Sequence, residues 1–301
     1  MSQYQRILLI ADPSMRRTPA FERAIWLARS SGARLHIALF DRNPLIAAAA
    51  LIDKLHSSDL MTAWLAQRRA WLQTEAAQLA EHGLTVTTEV VWARPSQDEI
   101  LLRVAEQSPD LVIKDVEYES HLKRTLFTPL DWQLLRNCTV PLLLVNKLTH
   151  ALPRRVVAAV DASVDTEQHN ALNHAVIRQA LALAIQCDAE LHLVYAFAGP
   201  QAMIDPAGAH LGSIGQLYDT LLPMHRRNFE ALAQAHSVPL ERRHFLQGTP
   251  AKAVAEFARA DHSDVLVIGS MRHTLVDRML MGTTAEAILD DAPCNVLAVK
   301  T

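Results

Sequence analysis

Cysteine is scarce in this chain of 301 residues, which contains three, Cys138, Cys187 and Cys294, without the spacing of metal ligands. Three cysteines are too few for a disulfide framework, so a reducing compartment is expected. Long apolar runs are also missing, because the longest candidate, PLIAAAALI, falls well short of the roughly 18 residues that suggest a membrane-spanning helix. The N-terminal sequence lacks the apolar core and the small-residue cleavage site of a signal peptide. These absences predict a soluble protein of the cytoplasm without a membrane partner.

A strong charge of one sign is absent too. The formal net charge is -3, from 29 basic and 32 acidic side chains. Five Arg-Arg pairs occur, but they are scattered and flanked by acids, as at the solvated ends of helices and strands. No global field therefore draws the chain to nucleic acid or to an anionic membrane. A nucleic-acid partner is not expected.

Motifs for nucleophilic or metal catalysis are missing as well. The sequence contains no Gly-x-Ser-x-Gly elbow, no Ser-His-Asp motif and no Gly-Lys-Ser of the Walker type. The 14 histidines are dispersed, and His169 and His174 lie five apart, off the helical face that a His-x-x-x-His metal site uses. We therefore expect histidines at the surface or at helix ends, no metal site and no catalytic residue. The predicted protein is not an enzyme.

The most informative feature that is present is a repeat of the chain within itself. RILLIADPS, from Arg6, returns as RVVAAVDAS, from Arg155, so that Asp12 and Asp161 occupy equivalent places. The segment 110–145 aligns without a gap on 264–299 at a constant offset of 154. The polar, proline-containing stretch NKLTHALPRR separates the two copies and has the composition of a linker. The repeat predicts two domains, 1–148 and 154–301.

Each half alternates apolar strands with helical patterns in the order β-α-β-α-β-α-β-α-β. Continuous apolar runs such as LLIA and VLVI are typical of parallel strands that helices cover on both faces. The sequence therefore predicts an α/β fold with two tandem, doubly wound, parallel five-stranded sheets. The fifth strands, PLLLVNK and NVLAVKT, would leave exposed apolar edges. We expect them to pair antiparallel with each other across a pseudo-twofold axis.

A candidate ligand site follows from this topology. Ligands of doubly wound sheets lie beyond the carboxyl ends of the strands, and Asp161 and Gly269 both follow or end predicted strands. The segment VIGSMRHTLVDRMLMGTTAEAIL has the form of a phosphate-binding segment with one glycine missing. Gly269 and Gly282 are present, while Arg272 stands where a further glycine would let the backbone approach an anion.

These motifs together resemble one known family. Asp-x-Ser after the first strand, DVLVIGS at the fourth strand, Gly-Thr thirteen residues beyond Gly269 and APCNVLAVK resemble the universal stress protein family over nearly the whole chain, twice. The stretch FTPLDWQLLRNC (Phe127 to Cys138) resembles its tandem E-type branch. The resemblance implies the adenine nucleotide alpha hydrolase-like fold, a cytoplasmic role in stress response, and a dimer-like arrangement that the two halves of one chain supply. A further homodimer and an unidentified protein partner are compatible with it.

The resemblance also implies an adenine nucleotide site in the second half, for ATP or AMP, with Mg²⁺ only as a companion of the nucleotide. Asp161 matches the family's acid on the adenine or ribose side, and Ala196 falls near its adenine-contacting backbone position. The loop would contact the phosphates. The residues implied are Asp161, Ala196, Gly269, Ser270, Arg272, Gly282, Thr283 and Thr284.

Arg272 leaves two outcomes open. Its Cβ resists a positive φ, so that the loop no longer curls round an anion. Alternatively, its guanidinium supplies a bidentate phosphate contact in place of backbone N–H groups. Both outcomes stay open, with binding by the second half slightly favoured.

The first half is not expected to bind a nucleotide. Its equivalent positions carry Asp115, Tyr118 and the pair Thr128-Pro129. An acid repels phosphate, tyrosine obstructs the crevice, and proline removes an N–H donor.

Three further interpretations concern aspartates and loops. Asp12 is expected to cap the N–H groups of a following helix, whereas for Asp161 capping and ligand binding are both open. The apolar stretch from Asp41 to Leu55 is interpreted as a helix packed over the sheet, with an apolar ligand pocket as the alternative. The glycine-containing stretch from Asp205 to Gly215 is interpreted either as a flexible cover of the sheet or as a mobile lid over a nucleotide in the second half.

The sequence thus predicts a non-enzymatic tandem stress-response protein whose second half binds ATP or AMP. The alternatives are a protein-interaction scaffold without nucleotide and, less favoured, a slow ATPase.

Overall fold

The computed structural model describes residues 4–116, 130–163, 166–198, 211–270 and 293–300. The chain divides into two compact units, Met1–Leu152 and Pro153–Thr301, which we call the first and the second unit. The domain limits predicted from the sequence, 1–148 and 154–301, stay predictions. No helix in the described ranges is long and apolar enough to cross a membrane.

The first unit contains a five-stranded parallel sheet. Its strands are β1 (Arg6–Ala11), β2 (Arg34–Phe40), β3 (Val86–Val91), β4 (Leu111–Asp115) and β5 (Leu142–Val145). In space their order is β3-β2-β1-β4-β5, and every neighbouring pair is parallel. The chain runs outward from β1 to β3 and then crosses back to β4, which is the doubly wound topology that the sequence predicted.

Helices connect these strands, and the first of them shows how the sequence sets their ends. They are α1 (Pro19–Ser31), α2 (Pro44–Ala49), α3 (Lys54–Glu81), α4 (Gln97–Gln107) and α5 (Leu130–Asn137). Helix α1 begins after Thr18, whose hydroxyl accepts the N–H of Phe21, and proline occupies its first turn. It ends at Gly32, which adopts a left-handed φ of 69° at no steric cost.

The second unit repeats this sheet. Its strands are β6 (Arg155–Ala159), β7 (Glu190–Phe197), β8 (Arg243–Gln247), β9 (Val265–Gly269) and β10 (Asn295–Val299). Their order, β8-β7-β6-β9-β10, matches that of the first unit strand for strand, and all neighbours are again parallel. The described helices are α6 (Glu167–Cys187), α7 (Leu211–Ala235) and α8 (Pro250–Ala260). The α/β fold with parallel five-stranded order is confirmed, while the expected pairing of the two fifth strands with each other stays a prediction.

The repeat extends to individual hydrogen bonds at the amino ends of the strands. In the first unit the Asp110 carboxylate accepts the N–H groups of Gln5 and Arg6, each at 2.9 Å. In the second unit Asp264 accepts those of Arg154 and Arg155, at 2.8 and 3.2 Å. Each aspartate precedes the fourth strand of its unit and thereby fixes the start of the first strand beside it.

Helices cover both faces of the second sheet. Gly269 of β9 faces Leu172 of α6. The opposite face packs against α8 in one apolar cluster with Val157, Val194, Ala196, Ala251, Val254, Ala258, Leu266, Ile268, Cys294 and Val296. All three cysteines of the chain are buried and free. The continuous apolar runs therefore reflect burial on two faces, as predicted.

Helix α2 corrects one sequence interpretation. The apolar stretch from Asp41 to Leu55 does form a helix, but none of the residues of α2 is buried. Leu45, Leu51 and Ile52 are 78%, 88% and 91% exposed. The prediction of a helix packed over the sheet is therefore wrong, because the apolar side chains of this segment point to solvent.

A buried ion pair distinguishes the first sheet from the second. Lys114 of β4 and Asp131 of α5 are about 5% exposed, and Lys114 Nζ lies 2.9 Å from Asp131 Oδ1. Lys114 Nζ also donates to the Asp115 carbonyl at 2.9 Å. The repeat places Ile268 and Ala285 at the equivalent positions, so the second unit has apolar residues where the first has charges.

Removing one member of this pair is expected to be costly. Asp131→Ala leaves the Lys114 ammonium buried without its carboxylate, and should lower the free energy of unfolding by about 3–5 kcal/mol. The double variant Lys114→Ile/Asp131→Ala imitates the second unit and should recover most of that loss. Urea unfolding followed by tryptophan fluorescence measures both, because all five tryptophans lie in the first unit. A double variant less stable than Asp131→Ala would contradict this account.

Candidate functional site

The predicted site residues of the second unit meet at one edge of its sheet. Strand β6 lies between β7 and β9, and all three are parallel, so their carboxyl ends share one edge. Asp161 follows β6, Gly269 ends β9 and Ala196 is the penultimate residue of β7. The chain runs from β6 to β7 on one side and returns to β9 on the other. This is the switch point at which doubly wound sheets form a crevice.

Asp161 lies exposed at this edge in a tight turn. Its Oδ1 accepts the N–H of Ser163 at 2.9 Å and also the Ser163 hydroxyl. Its Oδ2 accepts no hydrogen bond from any residue in the described part of the chain, and is therefore available to a ligand. Helix α6 is capped by Thr166, whose hydroxyl accepts the N–H of His169. The interpretation of Asp161 as a helix cap is therefore wrong.

The backbone of Asp161 is fixed by a residue that the sequence did not single out. Asn173 of α6, which is 6% exposed, accepts the Asp161 N–H at 2.9 Å and donates Nδ2 to the Asp161 carbonyl at 2.7 Å. An amide side chain thereby replaces the two partners that a neighbouring strand would offer. Asn173 holds the loop that carries the carboxylate.

Ala196 can contact a ligand only through its backbone. Its side chain is buried in the apolar cluster against α8. Alternate residues of a parallel strand direct their N–H and C=O groups to opposite neighbours. The Val194 carbonyl accepts the N–H of Val160, and the Phe197 carbonyl accepts that of Gly248. The backbone groups of Ala196 therefore point to the side of β6, beyond the residue at which that strand ends.

Gly269 and Ser270 are constrained by packing and by the sheet. A Cβ on Gly269 would lie 2.8 Å from Leu172 Cδ2 and Cγ, so glycine at this position lets α6 approach β9 closely. The N–H of Ser270 donates to the Val299 carbonyl at 2.8 Å, and its side chain is buried. That N–H is therefore committed to the sheet, although the sequence had assigned Ser270 to phosphate.

A buried tyrosine-histidine pair adjoins the carboxylate. Tyr195 of β7 and His225 of α7 are joined by a hydrogen bond of 2.6 Å between the hydroxyl and Nδ1. Burial raises the pKa of Tyr195 well above its ordinary value, and Asp161 raises it further. Burial lowers the pKa of His225, which the Asp161 carboxylate partly offsets. Both groups are therefore neutral at pH 7, and the pair forms an uncharged polar wall of the crevice next to Asp161.

The equivalent crevice of the first unit contains two carboxylates. Asp12 Oδ1 accepts the N–H of Ser14 at 2.8 Å, in the same turn as Asp161, so its interpretation as a helix cap is also wrong. Asp115 takes the place of Gly269, and its carboxylate accepts the Thr18 hydroxyl and the Ala20 N–H at the start of α1. Burial raises the pKa of Asp115, the bonds from Thr18 and Ala20 oppose the rise, and Asp12 adds to it.

This geometry gives a physical reason why the first unit disfavours a nucleotide. Asp115 places a carboxylate where the second unit has Gly269, which has no side chain and is packed against Leu172. It also uses donors of the α1 amino terminus that an anion would need. A phosphate entering this crevice would meet Asp12 and Asp115 together.

Four predicted site residues, Arg272, Gly282, Thr283 and Thr284, lie outside the described residues, as do Tyr118, Thr128 and Pro129 of the first half. Residues 205–210 of the predicted cover or lid also lie outside, and α7 begins directly after them. The described part of the site therefore consists of the crevice floor and the Asp161 loop.

The histidines correct a further interpretation. His174 Nδ1 lies 2.7 Å from His236 Nε2, and His192 Nδ1 lies 3.0 Å from His244 Nε2. Dispersed positions in the sequence are thus brought into pairs, which the sequence analysis did not expect. Among the described residues, no group of three or more histidine, cysteine or acidic side chains could hold a metal ion.

Two parallel doubly wound sheets in tandem, each with a polar crevice at its switch point, define a tandem protein of the open α/β class. The chain belongs to the universal stress protein family, whose family model matches residues 3–146 and again 153–300. It is therefore a tandem universal stress protein, as the resemblance of its motifs implied.

Individual relatives agree with this assignment. The chain is 29% identical over 306 residues to universal stress protein E of Salmonella typhi, covering 100% of this chain and 95% of the relative. It is 26% identical to a homolog of that protein from Haemophilus influenzae, covering 99% and 98%. Among solved structures, a functionally unknown protein of Pseudomonas aeruginosa PAO1 has a TM-score of 0.75 at 23% identity, covering 99% of this chain and 92% of that one. A universal stress protein of Archaeoglobus fulgidus has a TM-score of 0.64 at 16% identity, covering 99% and 97%.

The contact between Gly269 and Leu172 is testable by a double-mutant cycle. Gly269→Ala places a Cβ against the Leu172 side chain and should lower the free energy of unfolding by about 1–3 kcal/mol. Leu172→Ala alone should cost about 2–5 kcal/mol because it leaves a cavity. In the double variant the clash is gone, so the two losses should sum to more than the measured total. Strictly additive losses in urea unfolding followed by circular dichroism would show that the two residues do not constrain each other.

Proposed function

We propose that this protein is a non-enzymatic stress-response module of the cytoplasm whose second unit binds one adenine nucleotide, ATP or AMP. The observation that carries the proposal is the difference between the two crevices. Where the first unit has Asp115 beside Asp12, the second has Gly269 beside Asp161. One crevice carries a second carboxylate that would repel a phosphate, and the other carries Asp161 without one at the position of Gly269.

The nucleotide would lie across the carboxyl ends of β6, β7 and β9. Asp161 Oδ2 would accept a ribose hydroxyl or an adenine N–H, since its other oxygen is used by the turn. The backbone of Ala196 would face the base. The neutral Tyr195–His225 pair would line the same side. It can form hydrogen bonds with polar groups of the nucleoside without adding a charge to that of Asp161.

The phosphates would be held by the segment after β9. Gly269 begins this segment, and Gly282, Thr283 and Thr284 supply N–H and hydroxyl donors in the proposal. Arg272 would place a guanidinium over the phosphates, which substitutes a charge-assisted contact for the missing glycine. Because the N–H of Ser270 is committed to β10, Ser270 would contribute through its hydroxyl at most. Mg²⁺ would enter only with the nucleotide.

No catalytic step is proposed. Near Asp161 the tyrosine and the histidine are buried and neutral, and among the described residues no group of three or more histidine, cysteine or acidic side chains could hold a metal ion. We therefore expect ATP to be bound and released unchanged.

Calorimetric titration of ATP and of AMP, with Mg²⁺, tests this proposal on the full chain. We expect one site per chain. Asp161→Ala should weaken binding at least about tenfold, because a charge-assisted hydrogen bond is lost. The matched control is Asp12→Ala, which removes the equivalent turn from the first unit and should leave the affinity unchanged.

Gly282→Asp provides an independent variant, because it adds a carboxylate to the proposed phosphate segment and should abolish binding. Absence of heat and of thermal stabilisation at millimolar nucleotide would contradict the proposal and favour the scaffold without nucleotide. ATP turnover that disappears in Asp161→Ala would contradict its non-enzymatic part.

A further inference from the structure

A pair of histidines joins two helices of the second unit. His174 lies on α6, and His236 follows the last residue of α7. His174 Nδ1 and His236 Nε2 are 2.7 Å apart, with ring centroids 4.9 Å apart and planes inclined by 43°. The contact is a direct nitrogen-nitrogen hydrogen bond between residues 62 positions apart in the sequence.

Such a bond depends on the number of protons that the pair holds. One ring must donate an N–H and the other must accept it through a bare nitrogen. A single added proton can enter at a ring nitrogen outside the bond. When both rings are cationic, however, all four nitrogens carry hydrogen, and two N–H groups would face each other at the observed distance. The doubly protonated pair therefore cannot keep this contact.

The surroundings of the pair oppose protonation. A groove of about 270 Å³ adjoins His174 between the two helices, and its other polar side chains are the uncharged amides of Asn170, Asn173 and Asn228. Burial lowers the pKa of His236, and the charges of His174 and of Arg178, one turn further along α6, lower it again. A histidine whose pKa is lowered in the folded protein stabilises the fold at pH values above 6.5, the ordinary pKa of the side chain. That contribution is lost as the pH falls from this value through the lowered pKa of the folded protein.

Both helices also hold the loop that follows β6. Asn173, next to His174, bonds to the N–H and the carbonyl of Asp161. Asn228 of α7 donates Nδ2 to the Ala162 carbonyl at 3.3 Å. A loss of the contact between α6 and α7 therefore reaches the Asp161 loop from two sides.

We propose that His174 and His236 form a proton-binding site through which the second unit senses acidification. At neutral pH the shared proton holds α6 to the end of α7. In acid, protons from solvent occupy both rings, the hydrogen bond is lost and the two cations repel. The helices separate locally and release the Asp161 loop. This function does not depend on whether the crevice binds a nucleotide.

The other histidines show why this pair is singled out. The His192–His244 pair faces acidic groups: Glu190 Oε2 lies 3.8 Å from His192 Nε2, and Asp261 raises the pKa of His244 against the lowering effects of burial and His192. The Asp261 carboxylate thus offsets part of the lowering of the His244 pKa. In the first unit, His36, His56 and His82 bond to a hydroxyl, a carboxylate and a carbonyl, respectively. These three contacts each involve a single ring, so none of them is lost because two rings are both charged.

Hydrogen exchange measured by mass spectrometry tests the proposal on the full chain without nucleotide. Exchange is compared at pH 7.5 and 5.5 after correction for the intrinsic effect of pH. In the wild type, peptides from α6 and from the end of α7 should lose protection by about tenfold or more at pH 5.5. Peptides from α1 should not change.

Three variants assign the effect. His236→Gln keeps an amide that can bond to His174 but cannot take a proton, so its protection should be the same at both pH values. His169→Gln is the matched control, since His169 is half-buried on the same helix and bonds to Thr166 rather than to a second histidine, and it should behave like the wild type. His236→Lys imitates the cation and should show the acid pattern at pH 7.5.

Three results would overturn the proposal. The first is equal protection of α6 and α7 at both pH values in the wild type. The second is an acid-induced loss in His236→Gln as large as that of the wild type, which would assign the effect to other histidines. The third is a parallel loss in α1, which would indicate acid unfolding of the whole chain.

Discussion

One carboxylate at the amino end of each sheet fixes the arrangement on which the rest of the structure depends. Asp110 and Asp264 each bind two consecutive N–H groups at the start of the first strand of their unit. This contact sets the register between the first and fourth strands, so that Ile7 pairs with Leu111 and Val156 with Val265. With the register fixed at one end, the residues that follow these strands at the other end must lie side by side. The composition of each crevice then follows from a few side chains.

The two units differ where this constraint brings residues together. In the first, the register sets Asp12 next to the end of β4, where Asp115 binds the start of α1 and keeps a second carboxylate in the crevice. In the second, Gly269 ends β9 and lets Leu172 approach, while Asp161 keeps one carboxylate oxygen available. A duplicated fold has thus diverged by exchanging a helix-binding carboxylate for a close helix-strand contact. The same divergence exchanges the buried Lys114–Asp131 pair for apolar residues.

Much of the fold could be predicted from the sequence, because apolar runs, the repeat and right-handed connections leave one reasonable strand order. The shared edge of Asp161 and Gly269 followed from the same rules, whereas Ala196 was implied by the resemblance to the family. The contacts of Asn173, Tyr195 with His225 and His174 with His236 did not, because they join residues 12, 30 and 62 positions apart on elements whose packing no spacing encodes. The helix-cap interpretation of Asp12 and Asp161 failed because a serine N–H two residues further on takes the carboxylate first. The burial of α2 was mispredicted because an apolar composition does not reveal whether a short helix reaches the sheet.

We propose that only one of the two equivalent crevices admits a nucleotide. Native mass spectrometry of the full chain at saturating ATP and Mg²⁺ tests it most directly, because it counts the ligands on each molecule. The account predicts a single species that carries one nucleotide. Chains carrying two nucleotides would show that Asp115 does not close the first crevice, and chains carrying none would show that Gly269 and Asp161 do not make the second a binding site.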